Sequence, residues 1–145
     1  SMGMKIIGYD PSIKISDEYK GKIQHLVWPN KIEMADFIII TCSLNNSSYH
    51  MINEKLFTKV KKGLRIVNVG RGPIINEKDL ECALKSGKVY SAALDVFEIE
   101  PLPINSYLRS HPKCIFGSHN ASNTIDAVMR TSELAIKKIN NFLKK

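Results

Sequence analysis

Three residues of types that serve in catalysis, Arg71, Asp95 and His119, each come just after an apolar stretch typical of a β-strand. In an open parallel sheet, ligands bind in the crevice outside the carboxyl ends of the strands, so residues at those ends converge on one small volume. A guanidinium grips a carboxylate with two parallel hydrogen bonds, and an imidazole gives or takes a proton near neutral pH. The three stretches that precede these residues are 64–69, 89–94 and 114–116.

Length and composition predict one compact domain. The chain has 145 residues, of which 43% are hydrophobic. That is enough to bury the greater part of the unfolded surface around a single core. No apolar run reaches 18 residues, and the N-terminus lacks the order of charged and apolar residues found in a secretory signal. We therefore expect no membrane association and a cytoplasmic location.

The charge of the chain does not favour a nucleic-acid partner. The formal net charge is +7, but only four of the 21 basic residues are arginine. Bidentate reading of base edges favours arginine, and the lysines are scattered along the sequence. A solvated lysine-rich surface is the better interpretation.

The three cysteines predict neither a disulfide framework nor a metal site. Cys42, Cys82 and Cys114 are odd in number, far apart and each set in an apolar segment. These features favour reduced, buried thiols.

Strand and helix signals alternate along the chain, which is the pattern of a parallel sheet with crossover helices. Asn53 and Asn76 are predicted N-caps, the second with Asp79 three positions on, and Gly87 is a predicted C-cap. Further strands are predicted at residues 4–9, 25–28 and 36–42, the last of them fully buried, and a final helix at residues 124–143.

Three blocks of sequence resemble the signatures of the NAD-dependent D-2-hydroxyacid dehydrogenase family, which includes phosphoglycerate dehydrogenase. The resemblance covers nearly the whole chain, starting at GMKIIGYDP in residues 3–11. The blocks are VGRGPIINE at residues 69–77, ALDVFEIEP at residues 93–101 and SHNASNT at residues 118–124. The resemblance implies hydride transfer between NAD(H) and a small 2-hydroxy or 2-keto acid.

By this resemblance Arg71, Glu100 and His119 carry catalysis. His119 would protonate the carbonyl oxygen as hydride arrives, and Arg71 would grip the substrate carboxylate. A carboxylate on the second ring nitrogen would fix the tautomer of His119 and favour its charged form. Glu98 and Glu100 are both candidates for that role, and the family places the acid directly before the proline, as Glu100 stands. Without its block, His119 would be better interpreted as a strand-end histidine bonded to nearby backbone.

The cofactor is predicted to be NAD. Asp10 ends the first strand, where a carboxylate accepts hydrogen bonds from the adenosine ribose and repels the extra phosphate of NADP. An Asp-Pro turn without a ligand is the alternative for Asp10. The resemblance adds further cofactor-binding residues, although Ser43 and Ser118 stand where the family usually has proline. The added residues are Cys42, Ser43, Gly70, Asp95 and Ala121.

The sequence departs from a complete dinucleotide-binding fold in one respect. The chain contains no Gly-x-Gly-x-x-Gly motif, and Gly3 aligns with the end of the strand, glycine-rich turn and helix that carry it. Residues 1–145 are therefore predicted to be an incomplete Rossmann-like domain, without the substrate domain. Because the lost strand is central, the strands at residues 4–9 and 36–42 should each present a free edge. Such edges tend to pair, so a homo-oligomer is expected.

Two hypotheses of different classes follow. The first is part of an oxidoreductase of this family, inactive alone because its cofactor and substrate sites are incomplete. The second is a non-catalytic NAD-sensing or interaction module of the same fold. A glycine-rich turn encoded in frame upstream of Gly3 would favour the first.

Overall fold

The computed structural model describes residues 3–12 and 19–144, which form an α/β structure with parallel strands. The strands are β1 (Ile6–Gly8), β2 (Ile23–His25), β3 (Phe37–Ile40), β4 (Leu64–Asn68), β5 (Val89–Leu94) and β6 (Cys114–Phe116). The helices are α1 (Glu54–Lys59), α2 (Glu77–Lys85) and α3 (Ile125–Leu143), with short 3₁₀ turns at Ile32–Met34, Gly72–Ile74 and Tyr107–Ser110. Five of the six predicted strands and the final helix are confirmed, and β2 lies earlier than predicted, sharing only His25 with the predicted stretch 25–28.

The strands form two separate parallel sheets. One has the order β1-β2, and the other has the order β3-β4-β5-β6. In the described part of the chain β1 therefore pairs only with β2, and β3 only with β4. The prediction that these two strands each have a free edge is confirmed.

The larger sheet is covered on one face only. In β3, Ile38 and Ile40 are buried, while Phe37 and Ile39 are 47% and 64% exposed. The prediction that this strand is fully buried is thus wrong, because helices α1 and α2 pack on one side of the sheet. On the uncovered side the Arg65 guanidinium lies 5.4 Å from the centre of the Phe37 ring and 4.8 Å from that of Tyr90. The core combines the inward faces of the strands with residues of both helices, among them Leu56, Phe57, Leu80, Ala83 and Leu84.

The helix ends follow the predicted capping residues. Asn53 accepts a hydrogen bond from the Leu56 amide, and Asn76 accepts one from the Asp79 amide. Gly87, which follows the last turn of α2, has a φ of 71°, the left-handed conformation that glycine tolerates. The Asp79 carboxylate accepts from the Glu54 amide, so this side chain ties α2 to the start of α1.

Helix α3 begins after its N-cap Thr124, and none of its residues is buried. Its apolar side chains, such as Ile125 and Phe142, are exposed. In the described part of the chain no helix is both long enough and apolar enough to cross a membrane.

The prediction of buried thiols is wrong for two of the three cysteines. All three are free, but Cys42 and Cys82 are exposed and Cys114 is half-buried. On α2, Leu80, Ala83 and Leu84 are buried, and Cys82 points away from that face. Cys42 lies beyond the end of β3, where the chain leaves the sheet.

Candidate active site

The carboxyl ends of β4, β5 and β6 bring their polar residues to one edge of the sheet. Backbone hydrogen bonds continue the strand pairing past the strands themselves: the Asp95 amide donates to the Asn68 carbonyl at 3.0 Å, and the His119 amide donates to the Asp95 carbonyl at 2.9 Å. The loops that carry Arg71, Asp95 and His119 therefore start from adjacent positions of one parallel sheet, as the sequence predicts.

His119 lies against Glu100. Nδ1 of His119 is 2.8 Å from Oε2 of Glu100, and the other carboxylate oxygen accepts a hydrogen bond from the Phe97 amide at 3.0 Å. The hydrogen bond with His119, helped by that of Phe97, lowers the pKa of the Glu100 carboxyl. Of the two glutamates left open by the sequence, Glu100 is the one in contact with His119, and Glu98 is held elsewhere.

Asp95 holds the loop that follows His119. Its two carboxylate oxygens accept hydrogen bonds from the amides of Asn120 and Ala121, at 3.2 and 2.8 Å. His119 itself has a φ of 60°, a conformation that costs energy for a residue other than glycine and persists only where its surroundings enforce it. Gly117 leaves room for this arrangement, because a Cβ there would lie 2.0 Å from Oδ1 of Asp95.

The turn that carries Arg71 is built on a buried asparagine. Asn68 is 1% exposed, accepts from the Gly70 amide at 3.0 Å and donates to the Arg71 carbonyl at 3.1 Å. The sequence analysis did not single out Asn68. Its signal was an amide side chain near the end of an apolar strand, where a buried polar group needs hydrogen-bond partners.

The turn of Arg71 packs directly on the loop of Glu100. A Cβ added to Gly72 would lie 1.8 Å from the carbonyl oxygen of Phe97, so the two backbones are in contact. The Arg71 guanidinium is folded back, with Nη1 donating to the Gly70 carbonyl at 2.7 Å. The guanidinium thus lies on a neighbouring loop and is not bonded to His119 or Glu100.

An open groove runs beside this turn, between the ends of β3 and β4. Its lining includes Cys42, Ser43, Leu44, Gly70 and Arg71. A Cβ on Gly70 would lie 2.8 Å from the Cys42 carbonyl oxygen, so only glycine permits the close approach of the two loops. The Ser43 carbonyl accepts a hydrogen bond from the Ser48 hydroxyl at 2.8 Å. The groove is therefore bounded by the backbone of two loops in close contact.

Asp10 follows β1. The Asp10 carboxylate accepts a hydrogen bond from the Ser12 amide at 2.8 Å, and its carbonyl contacts Nε2 of His25 at 2.7 Å. Partial burial and, to a smaller extent, the Asp10 charge raise the pKa of the Cys42 thiol, while hydrogen bonding of backbone to the thiol lowers it. Asp10 and Cys42 are thus close enough to interact electrostatically.

His111, Trp28 and His50 make contacts away from His119 and Glu100. His111 lies beside the Lys113 amide and the Cys114 thiol. Trp28 packs edge-on against Tyr9, with ring centroids 5.1 Å apart, and both rings contact the core. His50 is an exception to simple packing, because its Nε2 pairs with a carboxylate oxygen of Glu98.

The arrangement supports proton transfer to a bound anion. His119 has Nδ1 occupied by Glu100, which leaves Nε2 as the atom that exchanges a proton. Arg71 supplies a positive group that can bind a carboxylate through two hydrogen bonds once it leaves the Gly70 carbonyl.

Comparisons with known proteins identify the family of the chain. The family described as D-isomer specific 2-hydroxyacid dehydrogenase, NAD binding domain, matches residues 1–121. Glyoxylate reductase from Thermofilum pendens is 41% identical over 113 residues, which are 78% of this chain and 33% of that protein. 4-Methyl-2-oxopentanoate reductase A from Aspergillus oryzae is 34% identical over 145 residues, 100% of this chain and 44% of that protein.

A solved structure shows a similar fold over nearly the full chain. The crystal structure of a glyoxylate reductase from Paecilomyes thermophila has a TM-score of 0.87 and 31% sequence identity, over 99% of this chain and 43% of that one. The chain thus spans less than half the length of these three relatives.

Proposed function

The chain belongs to the D-isomer specific 2-hydroxyacid dehydrogenase family, and on that premise we propose that it carries the catalytic side chains for hydride transfer between NAD(H) and a small 2-keto or 2-hydroxy acid. The supporting observation is the 2.8 Å contact between His119 and Glu100, beside the loop of Arg71. Residues 1–145 would form part of an NAD-binding domain, with the substrate domain outside them. The relatives are dehydrogenases and reductases, and NAD is the cofactor of this domain family.

His119 is the proposed general acid in the reduction. Hydride adds to the carbonyl carbon, the electron pair of the C=O bond moves to oxygen, and the proton on Nε2 of His119 passes to that oxygen to give the 2-hydroxy acid. Glu100 holds Nδ1 and stabilises the imidazolium that donates the proton. In the oxidation direction the neutral imidazole takes the hydroxyl proton back.

Arg71 is the proposed anchor for the substrate carboxylate. Its Nη1 bonds only a backbone carbonyl, a contact that a carboxylate replaces with a stronger, charge-assisted pair. The side chain starts from the turn that touches the Glu100 loop. If the Arg71 guanidinium exchanged the Gly70 carbonyl for the substrate carboxylate, that carboxylate would therefore lie at the same edge of the sheet as His119.

The groove beside Arg71 is the proposed site for part of the dinucleotide. Gly70 lets its loop approach the Cys42 carbonyl, since a Cβ there would lie 2.8 Å from that oxygen. Asp10, whose charge acts on Cys42, is the proposed partner of the adenosine ribose. NAD, when bound, supplies or accepts the hydride. Asp95 and Ala121 are hydrogen-bonded to each other, so their proposed contribution is to fix the loop of His119 against the cofactor.

Unpaired strand edges and an exposed helix support the proposal that residues 1–145 pack against other protein surface. Among residues 3–12 and 19–144, one edge of β1 and one edge of β3 are unpaired, and α3 exposes its apolar side chains. We expect them to be covered in a homo-oligomer or by further chain of the same protein. The same features favour the second hypothesis, an interaction module without catalysis. The three free thiols support a cytoplasmic location.

Two measurements test the proposal. Titration of the 145-residue chain with NADH should show weak or no binding, and a submicromolar Kd would contradict the idea that the site is incomplete. In the longest product of the gene that contains these residues, NADH oxidation should be measured with glyoxylate and related 2-keto acids. There His119→Gln should lower kcat by about 10²–10⁴-fold, the usual value of a positioned acid. His111→Gln is the matched control, and equal kcat values for the two variants would refute the role of His119.

A further inference from the structure

A second histidine and carboxylate pair lies on the loop that carries Glu100. Nε2 of His50 contacts Oε1 of Glu98, and the two side chains are 27% and 25% exposed. The partners are 48 positions apart in sequence. Their contact joins the segment before α1 to the segment after β5, two residues ahead of the glutamate that holds His119.

Glu98 is also fixed to the start of α2. Its Oε2 accepts a hydrogen bond from the Glu77 amide at 3.0 Å, and its own amide donates to Oε1 of Glu77 at 2.6 Å. The preceding amide, that of Phe97, donates to Glu100 at 3.0 Å. Two consecutive amides thus each hold a carboxylate. The Phe97 amide holds Glu100, the residue that contacts His119.

The carboxylates of Glu77 and Glu98 repel each other. Burial is the main cause of the raised pKa of Glu77, and the Glu98 and Glu81 charges raise it further, against the lowering effect of the Glu98 amide. Nε2 of His50 holds Oε1 of Glu98, while the Glu77 amide holds Oε2. Without His50, the repulsion would favour movement of Glu98 away from Glu77.

His50 itself is held in a demanding conformation. Its φ of 48° lies in the left-handed region, where residues other than glycine are uncommon. Its amide donates to the Pro73 carbonyl at 2.9 Å, its carbonyl accepts from the Asn53 side chain at 2.8 Å, and its ring stacks on Tyr49 at 4.0 Å. These contacts direct the ring, and they do not depend on the imidazole bonding Glu98.

We propose that His50 is a positioning residue for catalysis: by holding Glu98 against the start of α2, it fixes the Phe97 amide and thereby the orientation of Glu100 on His119. The inference rests on the proposed function, in which Glu100 sets the tautomer of His119. His50 does not touch the reacting atoms in this scheme, and its effect reaches them through Glu98 and the backbone of the loop.

The test reads the tautomer of His119 by ¹⁵N NMR of the 145-residue chain, at a pH where the imidazole is neutral. Glu100 favours the proton on Nδ1. In His50→Asn the side chain is too short to reach Glu98, while asparagine tolerates the left-handed backbone. We expect the Nε2–H tautomer of His119 to rise several-fold in this variant. His111→Asn, a change at a histidine whose ring contacts Tyr107, Lys113 and Cys114, should leave the tautomer unchanged.

Further variants separate the inference from the proposed function. Glu100→Gln should shift the tautomer at least as far as His50→Asn does; without that shift, the proposed role of Glu100 fails. If Glu100→Gln shifts the tautomer and a folded His50→Asn does not, the positioning role alone is overturned. Circular dichroism establishes folding first. If His50→Asn does not fold, Glu98→Gln, which keeps the size of the side chain, decides by the same measurement.

Discussion

Oε2 of Glu100 lies 2.8 Å from Nδ1 of His119, at the point where the loops after β5 and β6 meet. The other oxygen of the same carboxylate is held by the Phe97 amide. Both contacts favour the ionised carboxyl, and together they hold its pKa below the ordinary value, the His119 contact having the larger effect. The pair is therefore coupled in both directions: the glutamate orients the imidazole, and the imidazole favours the charged glutamate.

Replacement of His119 should be visible in the titration of Glu100. His119→Gln removes the main cause of the lowered pKa, so the pKa of Glu100 should rise toward the ordinary value of about 4.3. Carboxyl ¹³C NMR of the chain measures it directly. His111→Gln serves as the control, and an equal pKa of Glu100 in both variants would show that the contact is not formed in solution.

The same contact predicts the sign of a pH effect on stability. A carboxyl whose pKa is lower in the folded chain contributes stability that is present above the unfolded pKa and lost as the pH falls through the folded pKa. For Glu100 that loss lies below about pH 4.3. Below that pH, the free energy of unfolding should thus fall less steeply with decreasing pH in His119→Gln than in the unchanged chain. Urea denaturation at a series of pH values measures this.

Gly72 should tolerate no side chain. A Cβ there would lie 1.8 Å from the Phe97 carbonyl oxygen, which is backbone and cannot rotate away. Gly72→Ala should therefore push apart the loops of Arg71 and Glu100 and lower the free energy of unfolding by roughly 1–3 kcal/mol or more. Urea denaturation checks this. The control is Gly8→Ala, whose Cβ would meet only the Ile23 side chain, at 3.2 Å; equal losses in the two variants would contradict the prediction.

The features that sequence predicted well are those set by neighbours along the chain. The N-caps Asn53 and Asn76 depend on amides three positions on, and both hydrogen bonds are present. The strand ends that carry Arg71, Asp95 and His119 follow from apolar runs closed by polar residues. Such signals need no knowledge of the tertiary fold.

The features that sequence missed depend on which elements pack together. The exposed face of Ile39 follows from the position of the helices on the other side of the sheet, which four consecutive apolar residues do not reveal. The pairing of His50 with Glu98 joins distant segments. The exposure of Cys82 is a different case, because helical periodicity places it away from Leu80 and Leu84, and attention to that period would have predicted it.

Arg71 should be irreplaceable by lysine if it binds the substrate carboxylate. Lysine keeps the charge but lacks the planar fork that forms two parallel hydrogen bonds. In an active product of the gene, Arg71→Lys should raise KM for the 2-keto acid at least tenfold and leave the Kd of NADH within about twofold. Arg130→Lys, on the exposed surface of α3, is the control. Unchanged KM in Arg71→Lys would remove Arg71 from the site.

The effect of Glu77 on the pH dependence of stability should be opposite in sign to that of Glu100. Burial is the main cause of its raised pKa, so the ionised form destabilises the folded chain above the folded pKa, and this cost disappears as the pH falls below the unfolded value of about 4.3. Glu77→Gln keeps an oxygen for the Glu98 amide and removes the charge. Its Tm should exceed that of the unchanged chain at pH 7, with the difference shrinking toward pH 4. Thermal unfolding at both pH values measures this, with Glu133→Gln on α3 as the control. A Tm difference for Glu77→Gln that is constant between the two pH values would show that charge burial is not its origin.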